Sequence, residues 1–303
     1  MTTATASPNE SIGMLLKQWR ERRRRSQLDV SSAADVSARH LSYIETGRSN
    51  PSRQMIERIC DELDVPLRER NRFYLAAGFA PVHSERPLAD LGAAREAVRA
   101  VLTALEPSPA VAVNVRWDLL AANRTMRIFL TDLPDELAGP PVNMLRLTLH
   151  PSGLASQVRN FEQWRAHMLR RVRRQLDRTA SDGLEELLAE LGRYAPPDSP
   201  AFPSIEAGHD LVVPLQLATS YGELSFLYAV TVFGSPRDVT LDEIAIETFF
   251  PADTSTAGIL RSLADAEFVG TTPACHGGST PRCSCSSLPA AQPTTSSRSA
   301  APG

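Results

Sequence analysis

The sequence predicts an α+β protein, with an N-terminal all-α domain of five helices and a C-terminal domain in which helices flank an antiparallel sheet. Two observations favour this class. Residues 11–80 carry apolar positions at helical spacing, separated by serines and glycines that are typical of helix ends. Beyond residue 110, Val-rich alternating segments and a Gly-containing turn indicate strands. A length of 303 residues is in keeping with this division, since it corresponds to about two domains.

The N-terminal domain, predicted over residues 11–80, follows a short polar segment, 1–10, that we expect to be disordered. Its first helix is marked by one apolar stripe, formed by Ile12, Leu15, Leu16 and Trp19. Each of the next four helices has a candidate residue at its start. Ser26, Ser37 and Ser52 are candidate N-caps, and Pro66 can start the fifth helix. Gly78 is placed to end the fifth helix. Cys60, inside the fourth helix, is predicted to be a small core residue.

Residues 81–109 are predicted to form a linker and a connecting helix, the helix spanning 88–105. The second domain is predicted over 110–265, and its segments are a strand at 110–117, a short helix at 123–130, a helix or strand at 145–149, a long helix within 151–178 and a helix at 184–191. Segments 211–217 and 223–233 form the clearest hairpin, whereas the apolar spacing of 240–250 predicts a helix. The Ser/Thr/Pro/Ala-rich residues 266–303 are expected to be a disordered tail.

Composition narrows the class of function. No run of about 18 apolar residues and no secretory signal occur, and four cysteines make no disulfide framework, so we expect a cytoplasmic protein without membrane contact. The phosphate-binding, hydrolase and metalloprotease motifs of enzymes are absent, which predicts neither catalytic residues nor a cofactor. Although the net charge is −3, the segment 17–53 holds nine Lys/Arg against four Asp/Glu. A basic segment in an acidic protein is typical of a phosphate-binding surface.

The third helix has the two faces that a DNA-reading helix requires. Leu41 and Ile44 are predicted to point inward, so that positions at the opposite angle face solvent. We predict base contacts from Arg39, Tyr43 and Ser42, with Ala38 and His40 on the flanks. Arg39 is the first candidate because its guanidinium can bind guanine O6 and N7 together.

Residues around this helix are predicted to contact phosphates, which position a protein on DNA without reading its sequence. The candidates are Gln27, Ser37, Arg48, Arg24 and Arg25. We also predict an ion pair between Arg20 and Glu45 that orients the reading helix against the first helix.

These residues resemble those of the lambda repressor/Cro-type (Xre) helix-turn-helix family over about residues 12–78. The resemblance is carried by Ser26-Gln27, Val36-Ser37, the run from Leu41 to Arg48, and Asn50-Pro51-Ser52. Asp35 stands where the family usually has glycine in the turn, and Asp tolerates a left-handed backbone better than most residues. Ser31 replaces a usual alanine. The resemblance implies double-stranded DNA as partner, and because one such domain reads a half-site, we expect a homodimer.

Residues 85–265 resemble the actinobacterial regulators with an MmyB-like ligand-binding domain. The matching motifs include Asn143-Met144-Leu145-Arg146, His150-Pro151, Gly222–Phe226, Val239–Leu241 and Phe249–Asp253. The resemblance implies a PAS-like fold that encloses a small apolar, fatty-acid-like ligand. The candidate pocket residues are Trp164, Met168, Phe226, Tyr228 and Val230, although for each residue taken singly a simple core role is the favoured explanation.

Three further features leave alternatives open. A basic helix face is a candidate to hold a ligand carboxylate, to bind further DNA, or only to be solvated; its residues are Arg165, Arg170, Arg171, Arg173 and Arg174. Tail donors for metal or redox sensing are Cys275, His276, Cys283 and Cys285, but their spacing is poor, so no metal site is predicted. An antitoxin-like or other protein-interaction module is the alternative function, which the large second domain disfavours.

Overall fold

The computed structural model describes residues 11–131, 133–194 and 212–270, with side chains to residue 265. The tail donors at 275–285 and the segment 1–10 lie outside these residues. The predicted α+β class is confirmed. Five helices make up the N-terminal domain: Ile12–Arg22 (α1), Gln27–Ala33 (α2), Ala38–Glu45 (α3), Arg53–Glu62 (α4) and Leu67–Ala76 (α5).

Serine hydroxyls begin the first four helices because each accepts a backbone N–H that the helix itself cannot satisfy. Ser37 accepts the N–H of His40 at the start of α3, and Ser26 forms a capping box with Asp29 at the start of α2. Ser52 caps α4, as the sequence predicts, and Ser11 caps α1. Asp35, in the turn between α2 and α3, has φ of 52°, the left-handed conformation expected there.

The apolar faces of these helices meet in one core that includes Trp19, Leu41, Ile44, Cys60 and Phe73. Helix α1 crosses close to the C-terminal end of α3 at Gly13. A Cβ atom added to Gly13 would lie 2.5 Å from the carbonyl oxygen of Ile44 and 2.6 Å from that of Glu45. Both are backbone atoms, so the close crossing requires glycine.

A connecting segment leads to the second domain. It contains a short 3-10 helix, Leu88–Asp90, and then helix α6, Gly92–Ala104, where the sequence predicted one continuous helix. The remaining helices are Arg124–Phe129 (α7), Asp135–Ala138 (α8), Met144–Leu149 (α9), Phe161–Thr179 (α10), Leu184–Arg193 (α11), Val239–Asp242 (α12) and Thr254–Gly270 (α13), with a 3-10 turn at Ala155–Gln157. The segment 145–149, for which the sequence left helix and strand open, is therefore helical. Helix α13 extends past residue 265 into the segment that was expected to be disordered.

Five antiparallel strands form one sheet in the order β2-β1-β5-β4-β3. Their bounds are Ala110–Val113 (β1), Leu119–Ala122 (β2), Leu215–Thr219 (β3), Gly222–Val232 (β4) and Ala245–Pro251 (β5). On one face, Ala110 and Ala112 share a core with Val98 and Leu102 of α6. The other face is covered by α10 and α11, whose buried side chains pack with those of β3 and β4.

The helix predicted for 240–250 is wrong. Only Val239–Asp242 is helical, and Ala245–Pro251 is β5, which pairs with β1 on one side and β4 on the other. Leu241 and Ile244 are three positions apart, which is a helical spacing. The alternation of apolar residues that is typical of a strand begins only at Ile244. The hairpin of β3 and β4 is confirmed, with Thr219 paired to Gly222 across the turn.

The strand predicted for 110–117 is too long. It ends at Val113, because Asn114–Trp117 form a turn closed by a hydrogen bond from the N–H of Asn114 to the carbonyl of Asp118. Trp117 has φ of 68° there. The chain then returns as β2, a strand that the sequence analysis missed. No helix among the described residues is long and apolar enough to span a bilayer.

Candidate functional site

Helix α3 presents a polar surface on the outside of the N-terminal domain. Leu41 and Ile44 have no exposed surface, because they pack into the core beneath the helix. Ala38 and Arg39 are exposed, and Ser42 and Tyr43 are half-buried. Since α3 begins at Ala38, the first turn of the helix carries the exposed arginine on its free surface.

Arg39 and Tyr43 form a unit one helical turn apart. The Nε atom of Arg39 donates to Tyr43 Oη at 2.8 Å, and its guanidinium carbon lies 5.4 Å from the centre of the Tyr43 ring. Stacking of this kind restricts the planar guanidinium while leaving its terminal N–H groups available. His40 lies on the flank, where Nε2 is 3.2 Å from Ser49 Oγ.

A buried carboxylate ties α3 to α1 and α2. Arg20 Nε donates to Glu45 Oε1 at 2.6 Å and Arg20 Nη2 donates to Oε2 at 3.0 Å, which is the bidentate geometry of a strong ion pair. The hydrogen bond to Glu45 raises the pKa of Arg20. Gln27 Nε2 donates to the same Oε2 at 2.8 Å, so the Gln27 amide is occupied within the domain. Its assignment to a phosphate and the orienting role of Arg20 and Glu45 stay predictions.

The other phosphate candidates surround α3. Arg48 and Arg24 are exposed, and Arg24 has φ of 53° just beyond the end of α1. Arg25 Nη2 donates to Glu62 Oε1 at 2.6 Å. The Ser37 hydroxyl accepts from the helix backbone. Their positions are compatible with contact to a DNA backbone, and their roles stay predictions.

A cleft of about 650 Å³ lies where the two domains meet. Its walls come from the sheet, from α10 and from the start of α5, so both domains contribute to one surface. Two sets of contacts hold the domains together beside it. Arg68 of α5 binds Glu243 through Nε at 2.5 Å and Nη2 at 2.9 Å, and the Leu67 N–H donates to Asp242 at 3.0 Å.

The second set of interdomain contacts joins α1 to the end of α10. Arg22 Nη1 donates to the carbonyl of Leu176 at 2.9 Å. Arg23 Nη2 donates to the carbonyl of Arg178 at 3.1 Å. Cations at the C-terminal end of a helix interact favourably with its unsatisfied carbonyls. The helix that lines the cleft is thus attached directly to the N-terminal domain.

A buried carboxylate lies on the sheet side of this cleft. Glu247 of β5 accepts a hydrogen bond from Tyr228 Oη at 2.6 Å and one from Arg171 Nη2 at 3.3 Å. Desolvation raises the pKa of Glu247 to about 7, although Arg171 and Tyr228 both act to lower it. Burial also raises the pKa of Tyr228 well above its usual value, and the Glu247 carboxylate adds to this shift.

The predicted pocket residues fall in different places. Trp164, Met168 and Phe226 are buried in the core of the second domain. Phe226 also lines a small apolar cavity of about 50 Å³. Tyr228 and Val230 line the interdomain cleft. None of the described cavities whose lining the structure gives is lined by all five residues, so their common role in a ligand pocket stays a prediction.

Sequence reasoning missed Glu247 and Trp117 as cleft residues. A signal for Glu247 was present, because a carboxylate between Ile246 and the apolar end of β5 is unusual in a central strand. Reading 240–250 as a helix hid that signal. Arg171 appeared only as one of five basic positions on α10, whereas in the structure it is the one of those five that lies over Trp117 and Tyr228.

Comparison with known proteins agrees with this architecture. Residues 11–73 match the family model of a helix-turn-helix domain. Residues 94–263, more than half of the chain, match the family model described as MmyB-like transcription regulator ligand binding domain.

Two curated relatives are similar to the N-terminal region. They are Transcriptional regulator ClgR from Mycobacterium tuberculosis strains CDC 1551 / Oshkosh and ATCC 25618 / H37Rv, each 40% identical over 58 residues. The alignment covers 19% of this chain and 52% of the relative, so the chain spans about half the length of the curated relatives it matches. The two family matches together cover the first four helices, most of α5 and all five strands of the sheet. The chain therefore belongs to the family of transcription regulators with an MmyB-like ligand-binding domain, here preceded by a helix-turn-helix domain.

Proposed function

We propose that this regulator binds a specific operator sequence as a homodimer, with α3 of each protomer in the major groove. The observation that supports this most directly is the division of α3 into a buried face, Leu41 and Ile44, and an outer face that carries Arg39 and Tyr43. Arg39 is proposed to read a guanine, with Tyr43, Ser42, Ala38 and His40 forming the surrounding contact surface. Two protomers are required because a single helix of this kind reads one half-site.

The phosphate contacts are proposed to come from the positive N-terminal ends of α2 and α3 and from the arginines beside them. Backbone N–H groups at such ends, together with Arg48 and Arg24, favour an anionic strand. Gln27 and Ser37 contribute mainly through their backbone positions, since both side chains make internal hydrogen bonds. Arg25 is partly neutralised by Glu62.

We further propose that a small, mainly apolar, fatty-acid-like molecule binds to the second domain and changes the affinity for DNA. Support comes from the interdomain cleft, whose volume lies within the range typical of small-molecule sites. Its wall combines apolar residues such as Val113 and Val230 with arginines of α10. Because α5 also lines the cleft, a bound molecule would contact both domains.

Footprinting followed by quantitative gel shifts tests the DNA-binding proposal. Arg39→Ala is expected to lose discrimination at one base position in each half-site, at a cost of about 1–3 kcal/mol on the cognate sequence. Arg48→Ala is the matched control, because loss of a phosphate contact should weaken binding to all sequences equally and reduce its salt dependence. Equal losses on every sequence for Arg39→Ala would show that Arg39 does not read a base.

A further inference from the structure

Arg171 is held in the cleft by two aromatic rings. Its guanidinium carbon lies 4.7 Å from the centre of the Trp117 ring and 4.9 Å from that of Tyr228. Trp117 is itself fixed by a hydrogen bond from its Nε1 to Gln175 Oε1 at 2.8 Å. The Arg171 side chain is 23% exposed, so the group is neither sealed in the core nor free in solvent.

The guanidinium is only partly used by the protein. Within the described residues, its hydrogen bonding consists of the single 3.3 Å contact from Nη2 to Glu247. An arginine has five N–H donors in a planar fork, and a carboxylate can accept two of them together. The remaining donors of Arg171 are therefore available to an anion that enters the cleft.

Glu247 is the group that such an anion would meet. Its side chain is 3% exposed and its Oε1 atom is bound by both Tyr228 and Arg171. A second carboxylate on the same guanidinium would place two like charges close together in a poorly solvated site, and one of them then holds a proton. Glu247 is the better candidate to hold it, because burial already disfavours its charged form.

We propose that Arg171 anchors the anionic head group of a small amphipathic ligand in the interdomain cleft, and that Glu247 takes up one proton as the anion binds. This inference rests on the proposed ligand-binding function and assigns it a site, a head-group chemistry and a linked proton. The apolar part of the ligand would lie along Val113, Val230 and Val232.

Other titratable and charged groups also face the site. His167 and Arg174 approach from α10, and the pKa of His167 is lowered by burial and then by the nearby arginines. In the protein without a bound anion, imidazole charging therefore falls below the range in which Glu247 changes charge. Tyr228 of β4 keeps its proton because its pKa is raised.

The remaining charged groups at the cleft belong to contacts between or within the domains. Arg68 of α5 binds Glu243, which follows α12, and Asp242 of α12 accepts the Leu67 N–H. Glu69 of α5 binds Arg72. Arg178, near the end of α10, lines the cleft and accepts a hydrogen bond from Arg23 at its carbonyl. The Glu247→Gln variant therefore distinguishes proton uptake by Glu247 from proton uptake by His167.

Calorimetric titration of the full chain with decanoate, and with decanol as the uncharged control, tests the proposal between pH 7 and 9. Decanoate affinity is expected to fall by up to about tenfold per pH unit as the pH rises, because the complex carries one proton more than the free protein. Titration at pH 8 in two buffers of different ionisation enthalpy should report uptake of about one proton. Decanol affinity should not depend on pH.

Three variants test which residues bind the carboxylate of decanoate and which residue takes up the proton. Glu247→Gln should bind decanoate without proton uptake, and Arg171→Gln should lose at least about tenfold in decanoate affinity while keeping its decanol affinity. Arg173→Gln is the control, because Arg173 is exposed on the same helix and does not line the cleft. If Arg171→Gln does not fold, the proton count of the wild type and Glu247→Gln still decides the question.

Three results would overturn the proposal. They are decanoate binding without proton uptake, equal decanoate affinity in Arg171→Gln and Arg173→Gln, and no decanoate binding to the wild type. Each is separate from a failure of the DNA-binding function, which operator footprinting measures on the same preparation without any ligand. If decanol binds and decanoate does not, the domain still binds an apolar ligand, but the proposal of an anion site at Arg171 is wrong.

Discussion

Glu247 illustrates how one residue can make stability depend on pH. Its pKa in the folded protein is about 7, raised from an ordinary value of 4.5 by burial. As the pH rises above 4.5, an unfolded chain releases this proton while the folded chain retains it. The native state is therefore favoured most below pH 4.5, and this contribution is lost progressively until the pH passes about 7.

Glu247→Gln should remove this dependence. The amide resembles the protonated carboxyl, so the variant should gain stability relative to the wild type as the pH rises from 5 to 8, by at most about 3 kcal/mol. Urea denaturation of both proteins at the two pH values measures the difference. Glu162→Gln, an exposed change of the same charge on α10, is the control and should leave the wild-type pH profile in place. Parallel profiles for wild type and Glu247→Gln would contradict the assignment.

At the scale of the element, the N-terminal end of α3 combines a structural and a proposed binding role in one serine. The Ser37 hydroxyl accepts the His40 N–H at 3.2 Å, and this cap fixes where the helix begins. The same hydroxyl lies at the end of the helix that is proposed to approach a phosphate. The two roles can be separated, because aspartate also caps helices well but carries a negative charge.

Ser37→Ala is expected to lower the stability of the N-terminal domain by about 1 kcal/mol, since one N–H loses its partner. Ser37→Asp should retain stability and yet bind operator DNA more weakly than Ser37→Ala, because its carboxylate repels the phosphate. Thermal unfolding and DNA titration of both variants test this. Wild-type DNA affinity in Ser37→Asp would mean that this end of α3 stays away from the backbone.

Elements with strong local signals could be predicted from the sequence, and those set by tertiary context could not. The serine caps and the apolar stripe of α1 are local, and the β3–β4 hairpin joins neighbouring segments. β5 is different, since its residues pair with β1 and β4, which are distant in the chain. The sequence 241–246 satisfies both a helical and a strand pattern, and the sheet decides between them.

The same limit applies to the candidate sites. Burial of Leu41 and Ile44 determines which residues of α3 face outward, so those residues could be predicted from the helical periodicity of the sequence. The cleft brings together α5, α10 and β5, and no local pattern reports that meeting. Arg171 and Glu247 are 76 positions apart in the chain, and their pairing is a property of the assembled fold.

At the scale of the whole molecule, Arg68 connects the reading domain to the ligand-binding domain. Hydrogen bonding to Glu243 raises the pKa of Arg68, and Glu85 accepts a further hydrogen bond at 2.8 Å. A ligand in the adjacent cleft can change DNA affinity only if the two domains respond together, and this contact is a direct link between them.

Arg68→Ala is expected to reduce, toward onefold, the factor by which decanoate changes operator affinity. Affinity for operator without decanoate should stay within about threefold of the wild type, because coupling is distinct from DNA binding itself. Arg70→Ala is the control, since Arg70 lies on the same helix and pairs with Asp61 inside its own domain. Equal effects of the two changes would argue against a specific link at Arg68.

The crossing at Gly13 has a consequence for how such regulators diverge. Because a single added carbon at this position would overlap the backbone of α3 at residues 44 and 45, even alanine would force α1 and the end of α3 apart. Position 13 thus affects the depth at which Arg39 is proposed to enter the major groove. Side chains on the outer face of α3 can therefore vary without disturbing this crossing, whereas position 13 offers no comparable freedom.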